Sequence, residues 1–370
     1  MASVVANLGS FYYSSDIPDV KISSDKEVVF RVWKLTEGNR GKEELVFETT
    51  YYPYDGTIVF REIRSIIEAH MLQNNLSAQL YRFAFGDRQF LTTILYSRTK
   101  ISGVNADAFV RNCFLTTQHV RLTRRDAVEY LYLYDPYPDG FDDTELNLPT
   151  SHVVTQLIRA QYRMPDGTIG ATMKQSEVSL PYGMNTRSFN FPRLIEKSFG
   201  GLIPKTATIL SYTVVLDNRS FSFYFVDGKE ERMFFFRNNF NCYELAIIPA
   251  STTTKTETDS SNAICSDEVI QYDIEHTQTF EVQTAQLLLS HAKWLNEMMT
   301  SSEIRLVTNA TAINKMPKIL ITDYTSELTD APGEECNLKF EWQYASRDMA
   351  SDLTLTNSGI FTEEYTPEFT

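Results

Sequence analysis

Residues 60–90, FREIRSIIEAHMLQNNLSAQLYRFAFGDRQF, and residues 191–221, FPRLIEKSFGGLIPKTATILSYTVVLDNRSF, decide the fold when laid side by side. A shift of 131 positions without a gap sets Phe60 on Phe191, Ile63 on Leu194, Leu72 on Ile203, Tyr81 on Tyr212, Phe85 on Leu216, Arg88 on Arg219 and Phe90 on Phe221. Most of these are residues that a core uses. Solenoids and propellers repeat every ~20–50 residues, so a period this long marks a duplicated domain.

Inside each copy the pattern alternates between strand and helix. In the first, strands are expected over 28–34 and 45–52, followed by turn chemistry at Pro53-Tyr54-Asp55-Gly56. Phe60, Ile63, Ile67 and Met71 then fall on one helical face. Two strands, 76–85 and 90–96, flank the turn Gly86-Asp87. The second copy follows the same order: a strand over 153–163, a turn at Pro165-Asp166-Gly167-Thr168 and a helix opened by Pro192. A hairpin of 209–216 and 220–226 around Asp217-Asn218 completes it. A weaker echo links Val110-Arg111-Asn112-Cys113-Phe114 with Phe236-Arg237-Asn238-Asn239-Phe240.

The fold expected is mainly β: two duplicated β-sandwich-like domains with short helices, plus a C-terminal α+β or β-rich domain. The boundaries read as an N-terminal arm over 1–24, repeat 1 over 25–149, repeat 2 over 150–250, a C-terminal domain with one helix over 251–347, and a mobile tail over 348–370. In the C-terminal domain the Thr/Ser-rich run 251–262 reads as a loop or an exposed hairpin. A helix is expected over 285–299 and strands over 278–282, 304–307, 318–323 and 338–344, with Trp342 as a core anchor.

The chain has 370 residues, 42% of them apolar and 13% aromatic, enough to bury a core without staples. Its 20 Tyr and 24 Phe suit half-buried strands. The net charge of −14 repels phosphate backbones and anionic membrane surfaces, which argues against a nucleic-acid or membrane partner. No apolar run reaches ~18 residues and no secretory leader is recognisable at the N-terminus. Cys113, Cys242, Cys265 and Cys336 are far apart and read as reduced thiols of a protein made in a cytoplasm.

Catalytic patterns are missing. His70, His119, His152, His276 and His291 lie in five separate elements, and no HExxH, GxSxG or GxGxxG string occurs. Gly38-Asn39-Arg40-Gly41-Lys42 lacks the spacing and the Ser/Thr of a phosphate loop. No cofactor or metal ligand set is therefore expected. Asp135, Asp139, Asp142, Asp143 and Glu145, with Tyr134, Tyr137 and Phe141 among them, could ligate Ca²⁺ but match no calcium-loop spacing; a solvated linker is the plainer reading. Tyr51, Tyr52 and Tyr54 beside a turn could stack on a sugar or a partner, or simply pack their own hairpin. The contact residues expected are thus Tyr51, Tyr52, Tyr54, Tyr134, Tyr137 and Phe141.

With these elements in place, the chain resembles tail and baseplate structural proteins of tailed phages and prophages of Bacteroidetes. The segments that carry the resemblance are 51–68, the stretch FFRNNFNCYE over 235–244, FEVQT over 280–284 leading to Trp294-Leu295, and 319–323 followed by 338–344. Asn241 stands where such proteins often have Gly. The resemblance implies a virion component made in the host cytoplasm, acting without catalysis through contacts with itself, in a homo-oligomeric ring or adaptor, and with other tail proteins. A glycan- or receptor-binding module at a tail tip is the alternative, and a hydrolase built on β domains the third reading.

Overall fold

The computed structural model describes residues 3–4, 8–35, 43–137, 150–226, 232–265, 268–308, 312–328 and 336–346. Strands make up 57% and helices 14%, so the protein is mainly β with few, short helices. In chain order the first body comprises β1 (Ser3–Val4), β2 (Phe11–Tyr13), β3 (Val20–Ser23), β4 (Val28–Leu35), β5 (Glu43–Tyr51), β6 (Thr57–Phe60), α1 (Ile63–Gln73), β7 (Ala78–Phe85) and β8 (Arg88–Leu95). Helix α2 (Ala106–Asn112) links it to the second body: β9 (Val120–Thr123), β10 (Val128–Asp135), β11 (Ser151–Arg163), β12 (Ile169–Pro181), β13 (Gly183–Asn190), α3 (Phe191–Phe199), β14 (Thr208–Leu216) and β15 (Arg219–Phe225). The third body follows with β16 (Arg232–Arg237), β17 (Tyr243–Ile248), β18 (Ala250–Cys265), β19 (Glu268–Thr284), α4 (Leu289–Met299), β20 (Ile304–Leu306), β21 (Lys318–Glu327) and β22 (Asn337–Tyr344).

The first two bodies share one topology. Five-stranded sheets run β2-β8-β7-β4-β5 and β9-β15-β14-β11-β12, and a smaller sheet, β3-β6 (extended by β1) or β10-β13, lies apart from each. Even the unusual parallel pairs correspond, β2 on β8 and β9 on β15. The hairpins close in the same register, Phe85 opposite Arg88 and Leu216 opposite Arg219. Each turns on a positive-φ first residue, Gly86 at 60° and Asp217 at 53°. Asp is among the few side chains that enter this region at modest cost.

Cores form between the large and small sheets because β positions alternate. In the first body Phe30, Phe60 and Phe85 are buried, with Phe30 stacked on Phe85 at 4.9 Å and Phe60 edge-on to it at the same distance. Each such ring contributes about 2 kcal/mol by leaving water. Helix α1 buries Ile63, Ile67 and Met71, one face of a helix, whereas Phe60 ends β6 just before it. In the second body Phe191 packs on Phe225 at 4.2 Å and Tyr212 stacks on Phe223 at 4.7 Å. Asn190 caps α3, its Oδ1 accepting from Arg193 N at 3.2 Å, and Pro192 fits the first turn where no helical N–H is needed.

The sheets group residues differently from the sequence boundaries. Residues 8–24, read as an arm, belong to the first body: β2 and β3 pair with β8 and β6, and Leu8, Tyr13, Ile17, Val20 and Ile22 are buried. Strands this short hold too few alternating positions to stand out. The second body starts at β9 and β10, before residue 150, because these strands complete its two sheets. The echo between 110–114 and 236–240 is not conformational, since the first segment ends α2 and the second ends β16. Helix α4 starts at Leu289 and not at 285, because Leu287 bridges Cys336 in extended backbone.

The third body is a seven-stranded antiparallel sheet, β17-β16-β20-β21-β22-β19-β18, with α4 packed on it. Trp342 is buried and stacks on Phe280 at 4.1 Å. The run 251–262 is one strand of a long hairpin, β18–β19. The tail from 348 onward, the glycine-rich string at 38–42 and the acidic residues Asp139 to Glu145 lie outside the described residues.

Candidate functional site

The tyrosines singled out from sequence separate into different environments. Tyr52 and Tyr54 are exposed, 72% and 88%, beside the turn at Asp55-Gly56. Tyr51 is half-buried and packs edge-on to Phe60 at 4.6 Å, so it serves the core. Tyr134 is fully buried, which removes it as a contact residue. The reason is that β10 runs between bodies, and Tyr134 joins Tyr13, Phe109 and Phe240 in a shared apolar cluster. Tyr137 stacks on Tyr182 at 5.5 Å, and Tyr182 on His152 at 5.1 Å. Phe141 lies outside the described residues.

Asp135 is no solvated linker residue. It is buried, with Arg219 Nη2 at 3.5 Å and His152 Nδ1 at 3.3 Å. Burial raises its pKa, and the nearby His152 and Arg219 oppose that. Arg219 also donates to the Val110 carbonyl at 2.6 Å and to that of Tyr134 at 3.2 Å. This guanidinium ties α2 and β10 to the second hairpin.

The stretch Asn238–Cys242 is a clamp between bodies, built from short polar side chains after β16. Asn238 Oδ1 accepts from the Phe240 and Cys242 amides, each at 2.9 Å, and its Nδ2 donates to Leu115 O at 2.7 Å and Glu244 Oε1 at 2.8 Å. Asn239 Oδ1 accepts from Thr99 N at 2.8 Å. Phe240 stacks on Phe109 at 4.9 Å. Asn241 takes φ 61° and donates to Leu76 O at 3.2 Å, and Cys242 Sγ donates to Ser77 Oγ at 3.2 Å. These residues therefore hold the third body against the first.

Behind the clamp is a buried polar junction. Glu244 Oε2 accepts from Trp294 Nε1 at 2.7 Å, and Arg121 Nη2 lies 3.7 Å from Glu244 Oε1 with its guanidinium over the Phe221 ring at 4.5 Å. Burial raises Glu129 to about 7 despite Arg121 and a 2.8 Å bond from Thr123. Glu297 on α4 is raised to about 7 by burial and by Glu244. Its two oxygens accept from Asn239 N and, at 2.5 Å, from Thr117 Oγ1. Glu297 lines a cleft of about 600 Å³ with Arg98, Gln118, Lys293, Asn296 and Tyr324. Arg98 in turn donates to Thr300 O at 2.6 Å and Glu297 O at 3.0 Å, capping the C-terminal end of α4. These charges are committed to holding bodies together. A second knot surrounds Glu303: burial pushes its carboxyl up, but bonds from Tyr243, Arg237 and Arg305 outweigh that and bring it down to about 2. Among the described residues no group of three His, Cys, Asp or Glu is arranged to hold a metal ion.

What remains open to solvent is backbone and sheet surface. Among the described residues β19 pairs with β22 only over 280–283, so residues 256–265 and 268–278 pair with one another alone, as a two-stranded arm. At about 3.3 Å per residue it projects roughly 35–40 Å. Residues 253–259 are exposed on both faces. In the second body β12 is an edge strand, and the outward face of β11–β12 shows Val153, Ile169 and Met173 at 66%, 63% and 67% exposure. Sequence reasoning noted the polar composition of the arm but not its length, and missed the bare face, because each β11 and β12 side chain looks ordinary alone.

No family model and no curated protein matches the chain. Among solved structures, "Crystal structure of CBD12 from CALX1.2" matches at 8% identity over 56% of this chain and 76% of that one, with a TM-score of 0.15. "Crystal structure of calcium binding domain CBD12 of CALX1.1" matches over the same shares at 8% identity and TM-score 0.14. No helix among the described residues is long and apolar enough to cross a membrane.

Proposed function

We propose that this protein is a non-enzymatic assembly subunit that works by protein–protein contact, in a ring or adaptor of a phage-type tail or baseplate. One observation carries this reading: the two-stranded arm of residues 256–265 and 268–278, which among the described residues pairs with no third strand. An isolated two-stranded ribbon is marginal in water, and a free strand edge invites pairing by another chain. Two bodies of one topology, locked to a third by the Asn238–Cys242 clamp, make a stiff block suited to repeated contacts. Closed rings form when such contacts are heterologous and the rotation closes. The resemblance in sequence to phage tail proteins supplies the virion setting and the host cytoplasm as the place of synthesis.

The test is to replace residues 256–278 by an Asn-Gly turn and follow mass by light scattering and shape by electron microscopy. Among the described residues the arm pairs with no strand of the sheet core, so the shortened chain should melt within a few degrees of the parent yet fail to assemble. A parent that is monomeric at every concentration, together with its absence from purified virions by mass spectrometry, overturns the proposal. The exposed pair Tyr52 and Tyr54 favours a second reading, glycan binding at a tail tip, which silence on a glycan array would remove.

A further inference from the structure

We propose that the arm of one copy lies across the outward face of the second body of the next copy, a head-to-tail contact held by opposite charge. This deepens the assembly reading and rests on it.

The outward faces of the two large sheets are covered unequally along their length. On the matching face of the first body, Ala78, Leu80, Ala84, Thr93 and Leu95 are buried, and Ala78 and Leu95 pack with Tyr13, Ala106, Phe109 and Phe240 of the same chain. On the second body Tyr224 of β15, the counterpart of Thr93, is in solvent, and the β11–β12 strands beside it carry Val153, Ile169 and Met173 in solvent, with Arg159 and Arg163 exposed among them. The β11–β12 register sets Arg159 beside Met173 and Arg163 beside Ile169. An apolar strip edged by arginine has the composition of an interface core, where Arg is enriched.

Charge selects the occupant. Residues 151–225 hold eight Lys/Arg against four Asp/Glu, a net of +4 in a chain of net −14. The arm is the opposite: residues 256–278 contain six carboxylates (Glu257, Asp259, Asp267, Glu268, Asp273, Glu275) and no Lys or Arg. Its register places Asp259 directly opposite Glu275, a like-charge rung that costs stability unless cations face it. Lengths agree as well, since Val153 to Arg163 spans roughly 33 Å against roughly 35–40 Å for the arm. A second copy of this chain therefore supplies the partner without any other protein.

The experiment uses the full chain in two charge-reversed forms. One carries Glu257→Lys, Asp259→Lys and Glu268→Lys on the arm, and the other Arg159→Glu and Arg163→Glu on the face. All five positions are exposed, and circular dichroism checks folding. By sedimentation, the parent should associate at low salt and weaken about tenfold or more as salt screens the contact. Each variant alone should stay monomeric, and an equimolar mixture should associate again, because the face variant's acidic arm meets the arm variant's arginine face and the lysine arm meets the glutamate face. A parent that assembles while both variants assemble equally well overturns the contact and leaves the assembly reading standing. A parent that remains monomeric at low salt overturns both. Failure of the mixture to associate, with each variant folded, also overturns the contact.

Discussion

Arg88 and Arg219 occupy the same place in the two copies yet do different work. Arg88 is exposed on a hairpin, whereas Arg219 is buried with Asp135 and two backbone carbonyls. Removing one partner of a buried ion pair strands the other, which costs about 3 kcal/mol or more, while an exposed arginine is worth a few tenths. Arg219→Met is therefore expected to lower stability in urea by about 3 kcal/mol, and Arg88→Met by less than about 0.5 kcal/mol. Equal effects would show that Arg219 is not the tie it looks to be. The identity of the two arginines was plain in the sequence. Their burial was not, because it depends on α2 and β10 arriving from elsewhere in the chain.

At the scale of elements, the hairpins and helices of each copy follow from local chemistry. The apolar runs of β7 and β14, turn residues at Gly86 and Asp217, and the Asn190 cap with Pro192 each act within a few residues. The clamp shows what local chemistry leaves open. Asn241 takes a φ of 61°, a conformation that Gly enters freely. Its amide, however, also reaches Leu76 O, so the side chain adds a tie to the first body that Gly lacks. Asn241→Gly should cost about 1 kcal/mol, the worth of that bond, and Asn241→Ala more, since alanine loses the bond and strains the backbone. Denaturant titration of both variants checks the order, and a more stable alanine variant would refute it.

At the scale of the whole molecule, acids at the seams set a pH dependence. Glu129 and Glu297, each raised to about 7, hold protons in the folded chain that the unfolded chain releases near 4.5. The native state binds more protons in that window, so their contribution is full below about 4.5 and is lost as pH rises through 7. His291, lowered to about 4 by burial and by Arg121, works oppositely: its contribution is present above 6.5 and lost as pH falls towards 4. Glu129→Gln keeps an acceptor for Thr123 without the charge. It should melt about 5 °C above the parent at pH 8 and within a degree or two of it at pH 4.5. A constant offset at both pH values would rule out the buried carboxylate as the cause.

Sequence alone was enough for the mainly-β class, the duplication and the places of the hairpins, because periodicity, turn residues and helix caps act over a few neighbours. It also carried the acidic run 256–278 as plain composition. The tertiary structure alone showed that residues 8–24 complete the first body, that Tyr134 is core, and that β7 and β8 are covered on their outward face while β11 and β12 are bare on theirs. Burial is a property of what packs against a residue, and strands of matching topology acquire different fates when Phe240 and Phe109 pack with Ala78 and Leu95 of the first copy.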